Sequence, residues 1–408
     1  MRQKTDENCS YLRGSILAVM LLALILPSFA EANEIGEGIN LGGNMRWRME
    51  VDGRDFNNAT NMDETSLLRS RVSLAITSIE NTKVFFQIQD SRNLGSNSSG
   101  LTNDTNLGVH QAYVKLSDFI ARGLSFQAGR FEAPYGRHRL IGNVGWSNVG
   151  RTFDGVRLSR SGRSYKADIF WLKVLERNFN KDQRILGAYS MFMEDKLHLF
   201  VIYDWDQLKT TPPDFDLARY TFGSFFKHSL PNNIGMMFDA ALQTGSQGAN
   251  DISSWMFAGD FSYKIGTRIN KIGFGFDVTS GDDDLGDDEI KSFNNLYYTG
   301  HKFRGFMDYF VGTSQRGLMD IIFRGTFKPR KKCTMQIDIH HFQTIQDYVN
   351  ADGDDTKAIG QEIDITHKYK WEKGLGIQSG LSIFMASDDW FPDADNAYWI
   401  YTMITAGF

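Results

Sequence analysis

The stretch "MRWRMEV", residues 45–51, alternates apolar and charged side chains at every position. Met45, Trp47 and Met49 share one parity, while Arg46 and Arg48 share the other. Successive side chains of a β-strand point to opposite faces of the sheet. The stretch therefore predicts a strand with one apolar face and one strongly basic face.

The same period-2 pattern recurs along the chain and predicts an all-β protein. It is clear in "LLRSRVSLAITSI" (67–79) and in "WMFAGDFSYKI" (255–265). We predict eighteen strands, at residues 44–52, 67–78, 83–91, 107–117, 123–130, 151–159, 165–174, 184–193, 197–206, 218–229, 234–244, 255–265, 271–280, 318–327, 333–344, 359–369, 375–386 and 397–408.

The connections between these strands alternate in length. Short ones such as "ENTK" (80–83) and "LPNN" (230–233) are followed by long ones, at residues 53–66, 92–106, 131–150, 175–183, 207–217, 245–254, 281–317, 345–358 and 387–396. Short periplasmic turns and long extracellular loops are typical of a transmembrane antiparallel β-barrel of the outer membrane. A soluble sandwich has no reason to alternate its connections in this way.

The last predicted strand, "AYWIYTMITAGF" (397–408), ends on an aromatic residue. Phe408 shares its face with Tyr398, Ile400 and Ile404. A terminal aromatic on an alternating strand resembles the signal by which barrels are recognised for insertion. The expected partners are therefore the barrel assembly machinery, outer-membrane lipid and lipopolysaccharide.

The N-terminus predicts export. A basic start precedes an apolar run at residues 16–30 and small residues at Ser28, Ala30 and Ala32, a pattern typical of a signal peptide. The run is shorter than the ~20 residues of a spanning helix. We predict a cleaved signal peptide at 1–32 and a barrel domain at 33–408, in the outer membrane of a Gram-negative cell. Cys333 then has no partner for a disulfide, because Cys9 leaves with the signal.

Net charge limits the classes of partner. The chain carries a net charge of −5, and residues 1–32 hold three basic and three acidic residues, so the exported chain keeps it. Binding of nucleic acid depends on phosphate neutralisation by excess Lys and Arg. We therefore expect no nucleic acid, and no sequence motif indicates a cofactor.

Parity assigns most charged strand residues to the lumen. Arg or Lys facing lipid near the bilayer centre costs about 2–4 kcal/mol. The cations with inward parity are Arg46, Arg48, Arg69, Arg71, Lys115, Arg151, Arg157, Arg219 and Lys227. The later strands add a more acidic wall with Asp239, Asp260, Asp277, Asp320, Asp338, Glu362 and Asp364, among which Lys264, Arg324 and Lys368 lie.

These inward cations have two interpretations. They form either an anion-binding lumen surface or structural ladders with the acidic residues, and the surplus in residues 121–163 favours the first: eight arginines against Glu132 and Asp154. Arg130 shares parity with the lipid-facing Leu124 and Phe126, so it lines the pore only if a bulge or the following loop turns it inward.

Two kinds of loop invite a functional interpretation. The loop at 131–150 holds Tyr135, Arg137, His138, Arg139 and Trp146, and it either folds inward as a constriction that stacks on sugar rings or remains solvated outside. The acidic stretches 281–289 and 350–355 either hold a divalent cation or are solvated loops. Because neither has the spacing of a defined calcium loop, we predict no metal site.

Several blocks of the sequence together resemble one family. They are "RSRVSL", "QIQDSRNLG", "QAYVKL", "QAGRFEAPYGRHRLIGNVGWSNVGRTFDGVRL", "ADIFWLKV", "TSGDDD", "FNNLYYTGHKFRGFMDYF" and "GQEIDI", in this order. The chain resembles the alginate export family of outer-membrane β-barrel porins. The resemblance implies an eighteen-stranded conduit with a constriction lined by Arg and Lys, through which a polyuronate leaves the cell.

We predict an outer-membrane channel that passes anionic solutes. The pore-lining residues are Arg46, Arg48, Arg69, Arg71, Lys115, Arg130, Arg139, Arg151, Arg157, Arg219 and Arg324. The first interpretation is an alginate-export-like conduit for an anionic polysaccharide, and the alternative is a diffusion porin for small anions. A plugged structural or adhesive barrel and a barrel enzyme are further alternatives; the chain shows no strained Ser elbow with triad spacing, so we predict that it is not an enzyme.

Overall fold

The computed structural model describes residues 33–95, 107–177, 182–207, 216–266 and 269–408. The predicted signal peptide at 1–32 lies outside the described residues. Parts of the predicted loops at 92–106, 175–183 and 207–217 also lie outside them.

The described chain is built almost entirely from strands. They are β1 (Asn33–Gly36), β2 (Ile39–Gly53), β3 (Asp63–Ile76), β4 (Thr82–Leu94), β5 (Gly108–Leu116), β6 (Leu124–Phe131), β7 (Phe153–Ser161), β8 (Tyr165–Leu175), β9 (Gln183–Phe192), β10 (Leu197–Asp206), β11 (Leu217–Leu230), β12 (Ile234–Gln247), β13 (Asn250–Tyr263), β14 (Ile269–Thr279), β15 (Glu289–Ile290), β16 (Leu318–Arg330), β17 (Cys333–Val349), β18 (Asp355–Glu372), β19 (Leu375–Ala386) and β20 (Ala397–Gly407). A short 3₁₀ helix covers Gly300–Lys302. Among the described residues, no helix has the length and apolar character needed to cross a membrane.

Eighteen of these strands, β2–β14 and β16–β20, close into a single antiparallel barrel. Each pairs with its neighbours in chain order, and β2 closes the ring by pairing with β20. Arg46, for example, lies opposite Arg69 of β3 on one side and Thr405 of β20 on the other. A closed ring leaves no strand edge, so the backbone groups of every barrel strand find partners without water.

The predicted eighteen-stranded barrel is confirmed, with strand bounds shifted by a few residues. Two of the predicted long loops are wrong. At 245–254, β12 and β13 continue to Gln247 and Asn250 and join at Gly248, whose φ is +61°. At 345–358, β17 and β18 are joined by residues 350–354 alone. Small polar side chains such as Ser246 and Ser253 end the apolar alternation here, although the backbone pairing continues.

The two faces of the barrel wall differ in polarity as the alternation predicts. On β16, outward Phe323 is 57% exposed, whereas inward Asp320 is fully buried. On β12, outward Leu242 is 63% exposed and inward Gln243 is buried. The exposed apolar face is the one that lipid would cover, and the polar face is turned towards the lumen.

Placing a cation at the centre of the outer face should weaken insertion into lipid. Phe323→Arg is expected to make folding into lipid vesicles less favourable by about 2–4 kcal/mol, because the guanidinium must enter hydrocarbon. Denaturant titration of folding into phospholipid vesicles measures the change. Leu285→Arg, at an exposed position of the β14–β16 connection, is the control and should cost little. Equal effects of the two substitutions would contradict the assignment of the outer face.

Candidate functional site

Two long connections fold into the lumen and bind each other. They are the β6–β7 loop (residues 132–152) and the β14–β16 loop (residues 280–317). The amide of Gly142 donates to the carbonyl oxygen of Tyr297 at 2.9 Å, and the amide of Tyr297 donates to the carbonyl oxygen of Leu140 at 2.8 Å. Ile141 and Tyr297 form a parallel bridge between the two loops. The two loops therefore cross the interior as one connected layer.

An apolar cluster packs the β6–β7 loop against the barrel wall. Buried Tyr135 and Ile141 of the loop belong to the same cluster as Phe170, Ile185 and Ile202 of β8, β9 and β10. The rings of Tyr135 and Phe170 stack with centroids 4.8 Å apart. Of the two interpretations of this loop, the inward one describes the structure.

The arginines of β2 and β3 bind the backbone of the β6–β7 loop. Arg46 donates to the carbonyl oxygens of Gly145 at 2.9 Å and Ser147 at 3.0 Å. Arg69 donates to the same two oxygens at 3.1 Å each. Arg48 donates to the carbonyl oxygen of Trp146 at 2.7 Å. Arg46 and Arg48 are 4% exposed and Arg69 is 8% exposed, so these three side chains hold the loop and have little surface left for a solute.

Arg71 extends this cluster towards Glu132. It donates to Gln89 Oε1 at 2.7 Å and to Glu132 Oε1 at 3.3 Å. Burial opposes ionisation of Glu132, but bonds from His110 and Asn143 together with the charge of Arg71 hold the pKa of this carboxyl below its ordinary value. Glu132 therefore serves as the anionic anchor at the start of the loop.

The opposite wall binds the same loop through its side chains. Arg137 forms ion pairs with Asp239 at 3.1 Å and Asp260 at 2.6 Å. Arg139 pairs with Asp277 and, at 3.4 Å, with Asp239. Because these carboxylates lie on β12, β13 and β14, the loop is attached to the basic wall on one side and to the acidic wall on the other.

The acidic wall also binds the backbone of the β14–β16 loop. The amide of Met307 donates to Glu362 Oε1 at 2.8 Å, and the amide of Phe306 donates to Asp364 Oδ2 at 3.2 Å. Gly305, with φ +80°, makes this approach possible, since a Cβ there would lie 2.4 Å from Glu362 Oε2. Carboxylates thus accept from loop amides while arginines donate to loop carbonyls.

A cluster of aromatic side chains joins the two loops near β2 and β20. The rings of Trp146 and His301 stack with centroids 4.1 Å apart. Arg48 lies over the Trp146 ring at 4.1 Å, and Tyr401 meets the edge of that ring at 4.8 Å. In this arrangement Trp146 is occupied by packing contacts.

The remaining inward arginines of the prediction also have partners. Arg219 binds Asp204 through two bonds of 3.1 and 2.7 Å, and Arg324 pairs with Asp338 at 2.7 Å. Arg151 donates to the carbonyl oxygens of Tyr297 and Tyr298, and burial lowers the pKa of this arginine. The ladder interpretation therefore describes Arg219 and Arg324, and Arg151 is a third link between the two loops.

Lys115 and Arg157 lie nearer the short-turn end. Arg157 donates to Gln127 Oε1 at 2.6 Å and lies over the Phe131 ring at 5.2 Å. Lys115 is half-buried on β5 and lies opposite Gln127 in the register of β5 and β6. Both positions are on the lumen face, below the two loops.

The structure contradicts the pore-lining position of Arg130. Its side chain is on the outer face, paired with Asp154 of the adjacent strand at 2.7 Å, and both side chains are about half exposed. No bulge interrupts the pairing of β6 with β7, so strand parity keeps Arg130 outside. The pair lies at the end of the strands nearest the long loops.

Sequence reasoning missed the β14–β16 loop as part of the interior. Arg304 of this loop lies 3.4 Å from Asp277 and is buried. The available signal was composition, because "FNNLYYTGHKFRGFMDYF" (293–310) holds seven aromatic residues. A solvated external loop has no reason to carry so many.

One lysine pairs with three of the six acidic residues in the stretch 281–289. Lys291 Nζ lies 2.7 Å from Asp283, 3.4 Å from Asp287 and 3.2 Å from Glu289. In the part of the chain that the structure describes, no group of His, Cys, Asp and Glu side chains is arranged to hold a metal ion. Lys291 therefore offsets part of the negative charge of this loop.

A closed barrel whose polar lumen is crossed by two inward loops is the architecture of an outer-membrane porin-type channel. The alginate export family model matches residues 38–395, and the chain belongs to that family. It is an outer-membrane, multi-strand barrel. No functionally curated protein matches its sequence.

Solved porin structures share the fold. Pseudomonas aeruginosa OccK1 superposes with a TM-score of 0.64 at 11% identity, covering 91% of this chain and 99% of OccK1. Acinetobacter baumannii OccAB3 gives 0.64 at 12% identity, covering 91% and 100%. Pseudomonas aeruginosa OccK2, solved in complex with glucuronate, gives 0.62 at 13% identity, covering 91% and 98%.

Removing the two arginines that share loop carbonyls should loosen the loop. Arg46→Gln with Arg69→Gln deletes hydrogen bonds from charged donors, each worth about 1.5–3 kcal/mol. We expect larger current noise and more frequent conductance transitions in planar bilayers. Arg122→Gln, in the exposed β5–β6 turn, is the control. Recordings from the double variant that match the wild type would show that these bonds do not position the loop.

Adding a methyl group at Gly305 should displace the second loop. Gly305→Ala meets Glu362 Oε2 and keeps a left-handed φ, which alone costs a non-glycine residue about 1–2 kcal/mol. A lower thermal unfolding midpoint in detergent is the expected result. Gly312→Ala in the same loop has nothing within 4 Å of the added Cβ and should leave the midpoint unchanged. Indistinguishable midpoints for all three proteins would exclude a close Gly305–Glu362 contact.

Proposed function

We propose that the protein is an outer-membrane channel that passes anionic solutes, with an anionic polysaccharide as its first candidate solute. Membership of the alginate export family carries this proposal. The polar lumen supports it, since a wet tube with cationic groups and a low-dielectric wall raises the local concentration of anions. Under this proposal, Lys115 and Arg157 contact the solute, while the arginines of β2 and β3 act by positioning the β6–β7 loop.

A diffusion porin for small anions is the second candidate, and the packed loops favour it. Ion pairs on both walls hold the layer formed by the two loops in place, and this layer narrows the passage through the lumen. OccK2 was solved with glucuronate and OpdK with vanillate, so barrels of this fold take small carboxylates. A polymer would require the loop layer to move aside, whereas a small anion requires less displacement.

The histidines support a conduit over an enzyme. In the described lumen, His340 lies between Asp320 at 2.9 Å and Asp364 at 3.6 Å, and His198 bonds to Tyr189 and Asp195. His110 bonds to Glu132 at 3.0 Å. A serine hydrolase requires a serine hydroxyl hydrogen-bonded to its histidine. The hydroxyl bonded to His198 is the phenol of Tyr189, and His340 and His110 are bonded to carboxylates.

Bilayer electrophysiology of the purified protein tests the proposal and separates its two forms. In a KCl gradient we expect a reversal potential of the sign that reports anion preference. Block of the chloride current by oligogalacturonate would favour the polysaccharide conduit. Anion preference without such block would favour the small-anion porin, and cation preference or absence of conductance would refute both.

A further inference from the structure

Six lysines lie on the lumen face at the short-turn end of the barrel. Each is close to the short-turn end of its strand, and together they span strands on opposite sides of the barrel: Lys83 on β4, Lys115 on β5, Lys166 on β8, Lys227 on β11, Lys271 on β14 and Lys368 on β18. We call this set the lysine vestibule. It lies between the short turns and the layer formed by the two inner loops.

Neighbouring residues of the same parity fix the inward direction of these side chains. Lys166 shares its face with Asp168 and Phe170, and Lys368 shares its face with Glu362 and Asp364, all fully buried. Lys271 has the parity of buried Asp277, whereas the intervening Phe274 is exposed on the outer face. The vestibule lysines are thus lumen residues and not part of the lipid-facing surface.

Most of the vestibule lysines lack an acidic partner. Lys227 pairs with Asp195, and Lys166 lies 3.8 Å from Asp168. For Lys83, Lys115, Lys271 and Lys368, no carboxylate oxygen of the described residues lies within 4.0 Å. Lys83 and Lys115 lie directly opposite each other in the register of β4 and β5, an arrangement that destabilises a sheet. Charges kept at a structural cost point to a use in binding.

Two of the vestibule lysines line a wide cleft. A cleft of about 680 Å³ is lined by Lys227 and Lys271 together with Lys196 and Lys264 of the adjoining turns. By contrast, the cavities beside Arg139 hold only about 20 and 40 Å³. Of these three cavities, the one at Lys227 and Lys271 is wide enough for a sugar-sized anion, whereas the two beside Arg139 are not.

Lysine chemistry suits a site that must bind and release. Its ammonium is a compact, hydrated charge on a flexible stem, whereas arginine clamps a carboxylate with two fixed bonds. Conduction requires sites that are weak and repeated. The fields of Lys83 and Lys115 overlap, because residues directly opposite each other on adjacent strands lie well within the Debye length of about 8–10 Å.

We infer that the lysine vestibule is the site at which this channel selects and binds its anion, and that a solute with several carboxylates engages several of these lysines at once. The inference rests on the proposed anion channel and assigns its selectivity to lysines below the loop layer. The buried arginines of β2 and β3 then have a positioning role.

A triple variant with a charge-matched control tests this assignment. K115Q/K271Q/K368Q removes three vestibule charges, while K173Q/R130Q/K357Q removes three cations from the outer face and the long-loop end. Heat-modifiable mobility on electrophoresis establishes that each barrel is folded. Reversal potentials in a KCl gradient and the half-blocking concentrations of hexagalacturonate and galacturonate are then measured.

The vestibule variant should lose anion preference by at least about threefold. Its half-blocking concentration of hexagalacturonate should rise at least about tenfold, with a smaller rise for galacturonate, because only the oligomer engages several lysines at once. The control variant should match the wild type. Suppose that the wild type is anion-selective. If selectivity and block are then unchanged in the vestibule variant, or change equally in the control, the inference is overturned and the channel proposal stands. A wild type that prefers cations overturns both.

Discussion

Backbone polar groups of a chain segment inside a barrel need partners, and this requirement organises the interior. The β6–β7 and β14–β16 loops lie in the lumen without a continuous strand pairing. Arg46, Arg48 and Arg69 supply donors to the carbonyls of residues 145–147, and Glu362 and Asp364 supply acceptors to the amides of 306 and 307. The basic and acidic walls are therefore complementary to the two halves of the peptide group, and the layer formed by the loops depends on that complementarity.

The barrel itself could be predicted from the sequence because side-chain alternation reports two environments at once. An outward residue such as Phe323 and an inward residue such as Asp320 differ in polarity at successive positions. The same rule gave the direction of the inward cations, and the structure agrees for Arg46 and Arg69. It failed where pairing continues without apolar residues, at the β12–β13 turn, because small polar side chains carry no periodic signal.

Parity gives the face of a side chain but not its partner, and this limits prediction of the candidate site. Arg46 and Arg219 have the same parity signature, yet one binds a loop carbonyl and the other binds Asp204. The partners are distant in sequence, 99 residues from Arg46 in the case of Gly145. Arg130 was expected to line the pore only if a bulge or the following loop turned it inward. No bulge occurs in its pairing with β7, and the outer face indicated by its parity is correct.

The direct link between the two inner loops has a mechanical consequence. Their hydrogen bonds at Gly142 and Tyr297 and the stacking of Trp146 on His301 join the β6–β7 loop, which is attached to both walls, to the β14–β16 loop, which is attached to the acidic wall. A displacement of either loop is transmitted to the other through these contacts, so the two loops move as one connected unit. The lumen therefore holds one connected obstruction and not two independent ones.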